Sequence, residues 1–531
     1  MRKPYNSKSI AITIIMVVSF GVYANTLFNG FVYDDNDQIL ENLWIRDIRH
    51  LPDILFSSVW SFLKDRQPSV YYYRPMMYLI YLVEYRLFGP NPGGWHLVNI
   101  ILHAVNGIMV FLIASMLLLP SSLSRPDRLS PADTNNLLPA FMAAIIFVIH
   151  PINSEAVAWI SAVPELSFTL FSLIAFYIYM KSSVKGRGAE VASSCLLSAL
   201  FLFLALLSKE TAIMFPVLIL AYDYLLLRPP ANHPQKIPYP IFRRYLPYMF
   251  VIGVYISIRT YVLWDMVLQR PERTYLNNLQ YIINTLFLIG QYFTKLLYPI
   301  DLNAFHDFRP VQSILELLDI TSLPVVLSYL LLLYGTRKKG RLTFFTLAWI
   351  IIALMPALYT LGITVNPFTE RYLYLPSVGF VILLIAGLIG IGQLSTLTNK
   401  AAICITIAIF LIVIGLYTTE TVKRNYIWKN DITLWTDTVK KSPDSSTAHY
   451  NLGVVYQNKG LLEEAKKEYK ESLRLSPIAA DAHYQLGRIY TSQYLLDSAI
   501  VEFQEALRIK PDYTEAQEGL NKALYFKQLQ R

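Results

Sequence analysis

Up to about residue 420, apolar residues arrive in long blocks separated by short polar connections; beyond that the pattern changes. The blocks run roughly 18–24 residues, the length that carries a helix across a ~30 Å hydrocarbon core. They predict spans near 9–28, 96–119, 139–158, 166–180, 191–208, 211–227, 245–264, 320–335, 342–361, 372–393 and 401–419. A further block, 279–298, is interrupted by Gln291 and Lys295 and reads as a re-entrant or interfacial helix. The first block follows Arg2, Lys3 and Lys8 without a clean small-x-small cleavage site, so it reads as a retained span rather than a leader.

From Trp428 onward the sequence is polar and helical, and it repeats. Pro443, Pro477 and Pro511 stand 34 residues apart, and the same offset relates Leu452-Gly453 to Leu486-Gly487, Tyr456 to Tyr490, Ala465 to Ala499 and Tyr469 to Phe503. This is the tetratricopeptide signature, in which helical pairs stack into a solenoid with a concave binding face. The expected fold is therefore all-α: a polytopic membrane domain over 1–420, with a first outer loop at 29–95, and a short tetratricopeptide-repeat α-solenoid over 428–531.

Composition agrees with this division. Of 531 residues 54% are hydrophobic and only 16% charged, with a mean hydropathy of +0.39, whereas a soluble domain carries about a quarter charged residues. The two cysteines, Cys195 and Cys404, both lie inside apolar blocks and form no framework. Charge then sets orientation. With the N-terminus inside, the alternate connections 1–8, 120–138, 181–190, 228–244, 335–341 and 394–400 hold 17 Lys and Arg against three acids. Basic connections stay cytoplasmic, so eleven crossings would leave the N-terminus in the cytoplasm and the repeats in a periplasm or an ER lumen.

The unusual residues gather on the outward connections. Asp34 and Asp35 follow the first span directly, in Phe31-Val-Tyr-Asp-Asp-Asn-Asp37. Adjacent carboxylates at a membrane boundary suit a general base or a cation site; they equally suit the N-terminus of a following helix. Tyr71-Tyr-Tyr-Arg74-Pro75 precedes an amphipathic stretch, 76–88, that would lie along the interface. Arg74 is placed to pair with Asp34 or Asp35, to grip a phosphate, or to snorkel to headgroups. His150 with Glu155 and Glu165, then Lys209-Glu210, then Asp301, His306 and Asp307, and finally Glu370-Arg371 fall on the same side. Ionisable groups at membrane depth cost several kcal/mol unless paired, and their convergence on one leaflet favours a site over packing.

No cluster has zinc spacing, and there is no Walker loop or Gly-rich dinucleotide turn. No soluble cofactor and no nucleic-acid partner is expected; a divalent metal at Asp34, Asp35 and Asp37 is left open. An outward site fed by a sugar needs a donor embedded in the lipid, such as a polyprenyl-phosphate sugar. A transporter would concentrate charges at mid-membrane and repeat its topology inversely; here the charges sit at span ends.

The ordered set Tyr33-Asp34-Asp35, Tyr73-Arg74-Pro75, Trp95-His96-Leu97-Val98-Asn99 with His103, His150-Pro151-x-x-x-Glu155, Ser208-Lys209-Glu210 and Glu370-Arg371-x-Leu373-Tyr374-Leu375-Pro376, followed by the repeats, resembles the transmembrane and tetratricopeptide-repeat-containing O-mannosyltransferases and their bacterial relatives. The resemblance spans nearly the whole chain. It implies a GT-C fold and inverting transfer of a sugar, mannose in that family, from a polyprenyl phosphate to a protein Ser or Thr hydroxyl. It also implies a catalytic base at Asp34 or Asp35, with Arg74, Lys209 and Arg371 facing the donor phosphate. His150, Glu155, Glu210 and Glu370 complete the expected donor- or substrate-binding set. The repeats would bind an acceptor protein or peptide, although roughly two and a half repeats is fewer than the animal members carry. The competing reading is a membrane-anchored scaffold in which the repeats recruit partners and the polar sets have no chemistry.

Overall fold

The computed structural model describes residues 7–63, 72–118, 137–185, 189–227, 241–267, 276–312, 316, 322–337, 340–359, 367–394 and 399–530. Among these residues every element is helical. The apolar blocks become helices because a backbone without water must satisfy its own hydrogen bonds. Eight helices are long and apolar enough to cross a membrane: 7–28, 92–117, 160–183, 190–208, 210–227, 243–264, 341–358 and 370–390. A ninth candidate, Leu138–Ile149 with Pro151–Ala158, is bent by 50° at His150. Leu323–Thr336 is apolar but shorter. The last expected span lies within Asn399–Ile427. The helix Asn278–Leu297 runs unbroken, without the turn a re-entrant segment requires. Most of the basic connections, including Lys338 and Lys339, lie outside the described residues, as does Tyr71.

The chain divides into two compact units, 1–302 with 308–426, and 303–307 with 427–531. In the first, helices α1 (Ser7–Tyr23), α2 (Leu51–Phe56), α3 (Pro75–Phe88), α4 (Pro92–Leu117), α5 (Leu138–Ile149), α6 (Ser154–Ala158), α7 (Val163–Lys185) and α8 (Ala189–Ser208) are followed, among the described residues, by seven further α-helices before the repeats. Its core packs α4, α5 and α7 with the helix Tyr374–Leu394 around Phe147, Phe176, Trp349 and Tyr374. Buried polar side chains fasten these helices to one another. His103 Nδ1 lies 2.7 Å from the Tyr374 hydroxyl, and Asn106 Nδ2 donates to Leu166 O at 3.0 Å. Asn425 Nδ2 donates to Val22 O at 3.0 Å, while Asn29 Nδ2 donates to Asn425 O at 3.0 Å. Without water as a competitor, each such bond also spares a buried polar group the cost of going unpaired.

The second unit is the solenoid. Helices Ser446–Asn458 and Leu462–Leu475 form one hairpin, Ala480–Ser492 and Leu496–Ile509 the next, and Thr514–Leu529 follows. The 34-residue period has a direct steric cause. Gly453 and Gly487 sit where a Cβ would fall 2.7 Å from the rings of Tyr469 and Phe503, respectively. The aromatic one helix on fills the space that glycine leaves. Gly487→Ala is therefore expected to destabilise the repeat unit by about 1–3 kcal/mol through overpacking. Hydrogen exchange in the full-length protein would show this as faster exchange across 480–509, with the membrane helices unchanged. Residues 303–307 join this unit, where Asn303 Nδ2 donates to Ser442 Oγ at 2.8 Å.

Candidate active site

The polar sets lie where helices are interrupted. His150, Trp159 and Lys209 each adopt an extended backbone between two helical pieces, and Thr369 adopts one directly before the helical turn Glu370–Leu373. One extended residue reverses which way the flanking side chains point, so each break delivers neighbours in sequence to different partners. Lys209 and Glu210 illustrate this. The Lys209 amino group reaches Glu165 Oε1 at 2.7 Å, whereas Glu210 receives Arg74 in a two-pronged contact, Nε at 3.0 Å and Nη2 at 2.7 Å. Arg74 thus pairs with Glu210 and not with either aspartate, in contrast to one sequence expectation.

Arg371 continues the network. Its Nη1 donates to Glu155 Oε1 at 2.7 Å and its Nε lies 3.3 Å from Glu165 Oε1, so Glu165 bridges Lys209 and Arg371. Aromatic faces cover the cations: Tyr72 lies 4.1 Å from Arg74, Tyr372 4.5 Å from Lys209, and Trp159 5.1 Å from Arg371. Three cations and three carboxylates balance, but they are not equally placed. Arg74, Arg371 and Glu210 keep 16%, 24% and 27% of their side-chain surface open, while Glu155, Glu165 and Lys209 keep 4% or less. The open edge of a neutral network therefore carries two guanidinium groups and one carboxylate, that of Glu210. Arg74 Nη1 and Arg371 Nη2 each donate to nothing among the described residues.

The adjacent aspartates differ sharply. Asp35 is fully buried, and both its oxygens are occupied: Oδ2 accepts from Val32 N at 3.0 Å, and Oδ1 accepts from Ser161 N at 2.8 Å and from the Ser161 hydroxyl. Burial pushes its pKa up to about 7 against these hydrogen bonds. It ties the loop to the turn before α7. Asp34 is half-buried, and its carboxylate accepts no hydrogen bond among the described residues. Loss of solvent pushes its pKa up to about 7; Arg371 acts to lower it and Asp37 to raise it. A carboxyl poised there is half-ionised at neutral pH, which suits a general base.

Other expected residues are placed elsewhere. The His150 ring is consumed by structure: Nδ1 accepts from Ile152 N at 3.2 Å, Nε2 faces Leu296 O at 3.2 Å, and Tyr417 and Phe380 pack on the ring. Glu370 is buried and faces Arg424 at 3.5 Å rather than the open edge. Lys209 is buried, 3% exposed, and its amino group pairs with Glu165. His306 and Asp307 belong to the second unit. Among the described residues, no group of three or more His, Cys, Asp or Glu is placed to hold a metal ion. Sequence reasoning missed Ser161, Trp159 and Tyr72 as contributors. Ser161 belongs to no motif and could not have been found. Trp159 is held by Asn99, whose Nδ2 donates to Trp159 O at 3.0 Å, so the Asn of the Trp95–Asn99 motif was the available signal.

Comparison with known proteins follows the same division of the chain. The tetratricopeptide-repeat family model matches residues 446–478 and 480–513. Over 87% of its length the chain is 26% identical to the Caenorhabditis elegans protein O-mannosyl-transferase F38B6.6, covering 62% of that protein. It is likewise 26% identical to the human protein O-mannosyl-transferase TMTC3, over 87% of this chain and 51% of that one. The chain thus spans about half to three fifths of the length of these relatives. Among solved structures it is similar to the Archaeoglobus fulgidus oligosaccharyltransferase in the apo form (TM-score 0.44, 11% identity, 79% of this chain and 56% of that one). A further similarity is to ArnT from Cupriavidus metallidurans bound to undecaprenyl phosphate (TM-score 0.37, 12% identity, 83% and 79%). The chain is an integral membrane protein whose homologues are the transmembrane and tetratricopeptide-repeat-containing protein O-mannosyl-transferases.

Proposed function

We propose that the protein is a GT-C type glycosyltransferase that moves a sugar, mannose by likeness to its relatives, from a polyprenyl-phosphate donor to a Ser or Thr hydroxyl of a protein. The observation that carries this reading is the difference between the two aspartates: one carboxylate locked by three hydrogen bonds, the next half-buried, unbonded and within the field of Arg371. Asp34 takes the proton of the acceptor hydroxyl as that oxygen attacks the sugar carbon from the face opposite the phosphate. The carbon–oxygen bond to phosphate breaks, and the departing polyprenyl phosphate keeps the electron pair. Its negative charge meets the unoccupied guanidinium nitrogens of Arg74 and Arg371, an arrangement that stabilises charge only as it develops. The glutamates paired with those cations restrain them, so little reorganisation accompanies the step. The site faces a periplasm or an ER lumen, with the N-terminus cytoplasmic, and the repeats bind the acceptor protein or a partner that delivers it.

Membranes containing the protein are expected to transfer radiolabel from polyprenyl-phosphate-mannose into protein, and to give none from the soluble sugar nucleotide once lipid-linked donor synthesis is blocked. A folded protein that transfers no label from this donor or from a panel of other polyprenyl-phosphate sugars would instead be a membrane-anchored repeat scaffold.

A further inference from the structure

Tyr33, one residue before Asp34, has φ = +55°, a left-handed conformation that an aromatic residue rarely adopts. The turn around it is tight: Asp35 N donates to Val32 O at 3.0 Å, Asn36 N donates to Tyr33 O at 3.2 Å, and Val32 N is held by the Asp35 carboxylate. Glycine would occupy this position without the steric cost of a Cβ. A strained aromatic where glycine is cheaper means that the ring itself is used, and such outliers gather at binding sites.

The ring is 40% exposed although it stands beside the buried polar network. Its phenol lies within electrostatic reach of Asp34, Arg371 and Tyr72. Behind it, Trp159 sets its ring centroid 5.8 Å from that of Tyr33 with the planes 31° apart, and the Arg371 guanidinium lies 5.1 Å from the same indole. Trp159 is itself buried and fixed by Asn99. Tyr33 is therefore an exposed aromatic surface backed by Trp159, adjacent in sequence to the candidate base and sharing the Trp159 indole with Arg371.

Resting on the reading of the site as a glycosyltransferase centre, we propose that Tyr33, buttressed by Trp159, is the platform on which the apolar face of the donor's sugar ring stacks, making it the residue that recognises the sugar rather than the lipid phosphate. A pyranose presents C–H groups on one face and hydroxyls at its rim, so an aromatic ring with a polar edge matches both. The strained turn fixes that ring relative to the carboxylate of the very next residue, which couples sugar placement to the base.

The test compares two lipids on the purified full-length protein, undecaprenyl-phosphate-mannose and undecaprenyl phosphate, for the wild type, Tyr33→Phe and Tyr33→Gly. Tyr33→Gly relieves the left-handed backbone, so it is expected to melt no lower than the wild type, which separates recognition from folding. Affinity for the mannose-bearing lipid should fall about tenfold, the scale of one lost aromatic contact. Affinity for the bare phosphate lipid should not change, and Tyr33→Phe should keep most of the discrimination. Equal weakening of both lipids would overturn the platform and make Tyr33 a contact to lipid or phosphate, as would an unchanged ratio between them. If the wild type binds neither lipid better than phosphatidylglycerol, the glycosyltransferase reading falls and the platform with it.

Discussion

Replacing Asp34 by Asn is expected to cut sugar transfer by about 10²–10⁴-fold, the usual contribution of a positioned general base, while leaving the protein at least as stable as before. The second half of this expectation follows from the sign of the pKa displacement. Surroundings that push Asp34 up to about 7 disfavour its ionised form in the folded state, so above that pH the carboxylate detracts from stability and a neutral amide does not. The same value sets the pH dependence. Transfer by the wild type should rise with pH through about 7 and level off above it, because only the ionised carboxyl accepts a proton. Below that value kcat/KM should fall by about tenfold per pH unit. The residual activity of Asp34→Asn should lack this limb. Asp35→Asn is expected to behave in the opposite sense. An amide has one acceptor oxygen, so its NH2 group would confront either Val32 N–H or the Ser161 donors. That leaves a buried donor unpaired at a cost of about 1–3 kcal/mol, and the melting temperature should fall together with activity. Melting curves and pH profiles of the two variants side by side decide the assignment. A stable Asp35→Asn protein that has lost the pH limb would reverse it.

The repeats were legible because glycine opposite an aromatic at a fixed 34-residue offset leaves a trace in every turn of the solenoid, as Gly453 with Tyr469 and Gly487 with Phe503 show. The long apolar helices were legible from length alone, since bilayer thickness dictates it. Individual site residues were identifiable as charges out of place, but their partners were not. Lys209 and Glu210 are neighbours in sequence and yet serve Glu165 and Arg74, because Lys209 is extended between two helical pieces and the chain direction changes there. No periodicity encodes such a break. For the same reason His150 looked like a donor- or substrate-binding residue: it follows an apolar helix and precedes Pro151, but the bend at that point turns its ring into the bundle, where backbone groups of Ile152 and Leu296 occupy both nitrogens. The division of labour between Asp34 and Asp35 depends on Ser161, which is 126 residues away and carries no signature.

Glu165→Gln is expected to be the most destabilising single change in the site, and more so than Lys209→Met, although the two residues form one ion pair. The asymmetry comes from the number of partners. Lys209 is 3% exposed and its amino group meets one carboxylate, Glu165, along with the faces of Tyr372 and Phe168. Glu165 meets Lys209 at 2.7 Å and also Arg371 at 3.3 Å. Removing the glutamate charge leaves a buried ammonium without compensation, which costs about 3–5 kcal/mol. Removing the lysine leaves Glu165 with a guanidinium still beside it. The double change Glu165→Leu with Lys209→Met deletes both charges, and replacing a buried pair by apolar groups of similar volume is often close to neutral. Thermal unfolding in detergent should therefore rank Glu165→Gln lowest, Lys209→Met next and the double variant above Glu165→Gln, with a coupling between the two positions that a double-mutant cycle of Glu165→Leu, Lys209→Met and their combination measures. Additive losses would mean that the pair is not coupled as its 2.7 Å geometry indicates. The ranking in activity should differ from the ranking in stability. The double variant restores the fold but takes away the carboxylate that orients Arg371, so transfer should remain impaired even in a protein that melts like the wild type. The glutamates thereby acquire a definite role, because they hold two arginines while leaving one terminal nitrogen of each without an acceptor among the described residues.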